Sequence, residues 1–228
     1  MTWYLARATG LVLLVVFTAA TVLGVVSSTT RAGGRLPRFV STDLHRRLSL
    51  VAVVLLTAHI AVSVADSYVS ISWVDALVPF VGTYRPFWLG MGTLATDIIV
   101  AVAVTSALRH RISPLAWRAV HLTTYAAWPA VVLHGLGTGS DSRRLPVLLL
   151  TATATGLVAA AAGWRLVAGQ PRPLGLPRMA ALAALPVATF VLAVWTVGGP
   201  LAGGWSQRSG TPPAPVHPGP AAAVVGTR

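Results

Sequence analysis

Cysteine, lysine and glutamate are all missing from these 228 residues. Without cysteine the chain has no disulfide, no thiolate-held iron–sulfur cluster and no thioether-linked cofactor. Charged residues are scarce too, at 10% against 55% hydrophobic, and the mean hydropathy of +0.74 is far above that of a water-soluble domain. What charge there is comes from seventeen arginines facing five aspartates, a formal balance of +12. In a soluble protein that excess would point to nucleic acid. Here the arginines cluster between apolar runs, where they orient helices and meet anionic head groups, so no nucleic-acid partner is expected. Also lacking is a Gly-x-Gly-x-x-Gly after a strand, or a soluble domain to carry it. The chain is therefore expected to hold no flavin or nicotinamide site and to take no hydride by itself.

What is present is a series of apolar segments long enough to cross a bilayer, at 8–28, 47–65, 87–108, 116–136, 145–167 and 179–198. This predicts an all-α integral membrane protein, a six-helix transmembrane bundle over residues 1–198. The first segment is read as a retained helix rather than a signal peptide, because its apolar run is long, only Arg7 precedes it and no small-residue cleavage site follows. Residues 199–228, repeating Pro, Gly and Ala, read as a disordered extracytoplasmic tail that holds His217. The 66–86 connection, with Trp73, Phe80 and Tyr84, suits either a short helix at head-group level or a plain loop with belt aromatics.

Orientation follows from arginine asymmetry. Eleven lie in or beside the first, third and fifth connections: Arg31, Arg35, Arg38, Arg46, Arg47, Arg109, Arg111, Arg118, Arg165, Arg172 and Arg178. The other face holds Arg7, Arg85, Arg143 and Arg144, with Arg208 and Arg228 in the tail. The positive-inside rule then predicts a multi-pass cell-membrane protein with both termini extracytoplasmic.

Ionisable side chains inside spanning helices are costly and so are functional candidates by default. Four histidines qualify: His45 and His59, fourteen residues apart in the second segment, and His121 and His134, thirteen apart in the fourth. Fourteen residues of helix rise roughly 21 Å and return to within about 40° of the same face. Thirteen rise about 20 Å but rotate by about 220°, so a distortion is needed to bring His121 and His134 onto one face. Pro129 lies between them, and its ring displaces the carbonyl of Tyr125, which predicts a kink there. Because both segments run in the same direction, His45 should pair with His121 near the inner face and His59 with His134 near the outer face. Two imidazoles at each of two depths are what two non-covalent b-type haems, held between the second and fourth helices, require.

Three other features stand beside the histidines. Asp97 lies near the middle of the third segment, where a carboxyl either relays protons or bonds to neighbouring helices. Asp66, at the outer end of the second segment, either accepts a bond near the outer histidines or marks the membrane boundary. Tyr125 and Trp128 lie between the two histidine depths, as lining of the gap or as ordinary bundle packing. The competing functional class is a proton- or metal-coupled transporter, in which histidines converge with carboxylates around a midplane site. A cofactor-free structural subunit is the third.

The combination of His45-Arg46-Arg47 opening the second segment, His59 followed by Asp66, the run Trp117-Arg118-Ala119-Val120-His121 with Tyr125, and His134 resembles the ferric reductase-like transmembrane domain family. That family includes the membrane cores of NADPH oxidases and the haem subunit of the bacterial methionine sulfoxide reductase system. The resemblance covers residues 8–167. It implies two stacked b-type haems carrying electrons from the cytoplasmic side to an outside acceptor, with Arg46, Arg47 and Arg118 meeting the inner haem propionates. Many relatives continue into a flavin- and nicotinamide-binding domain. This chain departs from them there, so a separate flavoprotein or membrane quinol is the implied donor, and an extracytoplasmic acceptor or partner reductase the implied destination.

Overall fold

Proline and serine set where the helices begin. A computed structural model of the chain describes residues 1–29, 37–67, 69–168 and 175–211. Every element among them is helical: α1 (Thr2–Thr29), α2 (Arg38–Val64), α3 (Trp73–Leu77), α4 (Pro86–Ala107), α5 (Pro114–Leu122), α6 (Thr124–Thr138), α7 (Leu145–Val167), α8 (Leu176–Gly198) and α9 (Trp205–Arg208). Proline caps α2 at Pro37 and occupies the first turn of α4, α5, α7 and α8, where its missing N–H costs nothing and its fixed φ favours the helix. Ser113 caps α5 by accepting the Ala116 N–H at 3.2 Å, and Ser72 forms a reciprocal capping box with Asp75 on α3. The 66–86 connection thus contains a short helix, packed against α4.

Five of these helices, α1, α2, α4, α7 and α8, are long and apolar enough to cross a membrane. The fourth predicted segment, 116–136, is not one continuous helix. It divides into α5 and α6 at Thr123, where the backbone tightens to an i→i+3 bond from Thr123 N–H to Val120 O. The hydroxyls of Thr123 and Thr124 bond back to the carbonyls of Val120 and His121 at 2.6 and 2.7 Å. The break therefore falls half a turn before Tyr125, made by a threonine pair, while Pro129 is carried inside α6.

α1 packs along α2 and α7, α4 along α6, and α7 along α8. The main core joins Leu14 and Phe17 of α1, Ala95 of α4, Ala127, Trp128, Val132 and Leu136 of α6, and Ala154 of α7. Alanines at the contacts let the backbones approach closely, as packing between spanning helices requires. α8 buries no residue, and α2 turns Leu50, Val51 and Val54 outward. Large apolar side chains all round the exterior suit a lipid solvent rather than water.

Of the segment expected as a tail at 199–228, the structure describes residues 199–211. Residues 199–211 fold back over the end of the bundle opposite the arginine-rich connections, and the Trp205 ring of α9 meets Trp88 at a tilt and Trp195 edge-on. Arg85, held at φ 43°, anchors this segment through its N–H to Gly210 O at 2.9 Å and its Nε to Thr211 Oγ1 at 2.9 Å. Residues 212–228, and His217 with them, lie outside the described residues.

Candidate functional site

α2 leans on α1 and α6 leans on α4, which leaves a slot between α2 and the α5–α6 pair. His45, His59, His121 and His134 point into it. His45 faces His121 with ring centres 6.2 Å apart and planes crossed at 74°. His59 faces His134 at 6.4 Å and 86°. The break at Thr123 brings His121 and His134 to the same partner helix despite their thirteen-residue spacing.

Three of the four rings are held by the backbone. His45 Nδ1 lies 2.8 Å from Ala20 O, His59 Nδ1 2.9 Å from Ala6 O, and His134 Nδ1 3.0 Å from Trp88 O. A carbonyl only accepts, so each Nδ1 carries the proton and Nε2 keeps its lone pair for a ligand. Thr9 Oγ1 adds a second contact to His59 Nδ1 at 3.2 Å. His121 differs: its Nδ1 is buried with no hydrogen-bond partner among the described residues, and its ring stacks on Trp117 at 5.0 Å.

The spacing of the facing rings has a chemical meaning. A metal–imidazole bond of about 2.0 Å, with the nitrogen about 1.1 Å from the ring centre, puts two imidazoles opposed across one ion about 6.2 Å centre to centre. Both pairs fall at that separation. Among the described residues no group of three or more His, Cys, Asp or Glu comes together that would hold an ion unaided. Two imidazoles alone leave zinc short of its four ligands. Haem iron arrives with four nitrogens of its own and needs only two more, a number that each facing pair can supply.

A cavity of about 290 Å³ opens at the His59–His134 level, close to the lower end of the ~300–1,000 Å³ of cofactor pockets. Its walls are mainly apolar, with Leu14 and Leu56 beside the two rings and Ser63, Thr96 and Thr138 among the polar groups. One residue that the sequence reading treated only as a topology marker lies here. Arg7 lines this cavity, its side chain 18% exposed, paired with Asp141 and with its guanidinium 4.0 Å over the Trp3 ring. Asp66 also lines the cavity and accepts from Thr2 Oγ1 at 2.8 Å.

The remaining sequence candidates are placed as follows. Arg46, Arg47 and Arg118 are exposed near the His45–His121 level, and Arg47 pairs with Asp43 at 2.7 Å. Asp97 is exposed on a face of α4 outside the cavity lining, so it does not join either histidine pair. Trp128 is buried in the core with Nε1 3.4 Å from Thr18 Oγ1, and Tyr125 turns outward beneath Arg165. Trp128 therefore acts in packing, whereas Tyr125 lies outside the core. No protein-family model, curated protein or solved structure matches this chain.

Proposed function

We propose that this chain is a membrane electron-transfer subunit that holds two b-type haems, one between His45 and His121 and one between His59 and His134. The observation that carries the reading is the pair of ring separations, 6.2 and 6.4 Å, at two levels of one slot. When bound, the haem iron supplies a one-electron couple. The chain's own residues decide what that couple is used for. His45 with His121, and His59 with His134, would each offer the iron two imidazoles, a donor set that would suit electron transfer over oxygen binding. Apolar walls from α1, α2, α4 and α6 exclude water from the slot. Arg7 at one level, and Arg46, Arg47 and Arg118 at the other, offer forked donors for cofactor carboxylates.

On this reading α5 and α6 together complete a sixth crossing, and the eleven arginines place the His45–His121 level toward the cytoplasm. Electrons enter there from a flavoprotein or membrane quinol and leave from the His59–His134 level to an extracytoplasmic acceptor. Purification in detergent followed by absorbance and haem quantification tests the proposal. Two low-spin haems per chain are expected; a colourless, folded preparation from haem-replete cells would refute it.

A further inference from the structure

Three of the four imidazoles are seated by one repeated device. The carbonyls that receive His45, His59 and His134 belong to Ala20, Ala6 and Trp88, and the residue four positions after each is glycine: Gly24, Gly10 and Gly92. In an α-helix the Cβ of a residue tilts back over the preceding turn, across the carbonyl four residues earlier. Leaving out that Cβ opens the carbonyl sideways, so its second lone pair can accept from a ring on a neighbouring helix. The fit is close. A Cβ at Gly24 would stand 3.0 Å from His45 Cε1, one at Gly10 3.1 Å from His59 Cε1, and one at Gly92 2.7 Å from His134 Cε1.

The register is also matched. Gly10 and Gly24 are fourteen residues apart on α1, as are His45 and His59 on antiparallel α2. On α4 the repeat fails: thirteen residues beyond Gly92 stands Thr105, whose hydroxyl takes the Ala101 carbonyl at 2.7 Å. His121, the histidine thirteen residues from His134, is the one whose Nδ1 has no acceptor.

We infer that Gly10, Gly24 and Gly92 are positioning residues that fix the imidazole tautomer and ring angle, and that they make the two levels unequal: both ligands are seated at His59–His134, one at His45–His121. The inference rests on the two-haem reading. A ligating imidazole whose other N–H donates to a carbonyl is the more basic ligand, and losing such an outer contact weakens metal retention about 10–100-fold.

The test is a redox titration of the purified holoprotein, with electron paramagnetic resonance of the ferric state, for Gly24→Ala, Gly10→Ala and Gly92→Ala. Gly24→Ala is expected to raise one midpoint potential and change one low-spin signal; Gly10→Ala and Gly92→Ala should both act on the other. Gly156→Ala is the control, because a Cβ there meets nothing within 4 Å. Should the variants fail to assemble, the wild-type protein labelled with ¹⁵N-histidine decides by redox-difference infrared spectroscopy: three Nδ1–H groups bonded to carbonyl and one not. Four equivalent imidazoles, or unchanged potentials and spectra in all three variants, would overturn the inference while leaving the two haems in place. A wild-type preparation without haem would instead remove the reading beneath it.

Discussion

His59 on α2 and His134 on α6 meet across the slot with ring centres 6.4 Å apart and planes crossed at 86°, each fixed from behind by a carbonyl of a different helix. Each ring has its own backbone seat, and the two share one slot. Removing either should therefore cost the same cofactor. His59→Ala and His134→Ala are expected to lose one haem of the two, and His45→Ala and His121→Ala the other, as read by haem content and difference spectra. Four single variants that all kept two haems per chain would break the assignment.

The crossing angles carry a separate expectation. When the two axial imidazole planes are near perpendicular, neither iron d orbital that overlaps with them is favoured, and the ferric low-spin signal becomes strongly anisotropic. With rings at 74° and 86°, both levels should give such large-g signals at liquid-helium temperature. A pair of rhombic spectra would mean that the imidazoles lie parallel in the loaded protein.

Much of this arrangement is legible in the residues alone. The positions of five long helices follow from apolar length, and the facing of His45 with His121 and of His59 with His134 follows from rise per residue. The distortion in the fourth segment was legible too, but not its place. Proline is the obvious breaker in a sequence, whereas Thr123 and Thr124 act through hydroxyl bonds to the preceding turn, a signal that many spanning helices carry without breaking. Arg7 was read as topology because its depth relative to His59 depends on how far α1 overlaps α2. The glycine seats were hidden for the same reason: Gly10 and Gly24 are unremarkable on α1 until their spacing is compared with that of the histidines opposite. The seat of residues 199–211 is hidden likewise, because composition sees Pro, Gly and Ala but not the indole pocket that receives Trp205.

That pocket yields a third prediction. Trp205 Nε1 bonds Gly137 O at 3.1 Å, its ring meets Trp88, and the Trp88 carbonyl holds His134. Trp205→Ala removes a half-buried ring and a hydrogen bond, a loss of about 2–3 kcal/mol. On heating, the variant should release the His59–His134 haem first, with the other retained. Simultaneous release of both would show that the C-terminal segment stabilises the bundle as a whole and not this ligand.

Topology is the fourth. Reporter fusions after Gly34 and Gly169 should read cytoplasmic, and a fusion after Ser140 external, because eleven arginines lie on the first side. A consistent inversion would keep the haem sites but reverse the direction of transfer.

The last prediction concerns the source of electrons. Bis-imidazole iron exchanges single electrons, whereas a nicotinamide gives up a hydride, two electrons at once, and needs a flavin or similar centre to divide them. These 228 residues hold four haem-ligand candidates but no Gly-rich nucleotide turn after a strand. The purified chain should be reduced within seconds by dithionite, and by a suitable flavoprotein or quinol, yet stay oxidised for many minutes with NADH or NADPH alone. Stopped-flow spectra of the haem bands separate the two cases. Rapid reduction by a nicotinamide, in a preparation free of flavin and of other proteins, would place a hydride-accepting centre within the bundle itself and would sink the relay reading.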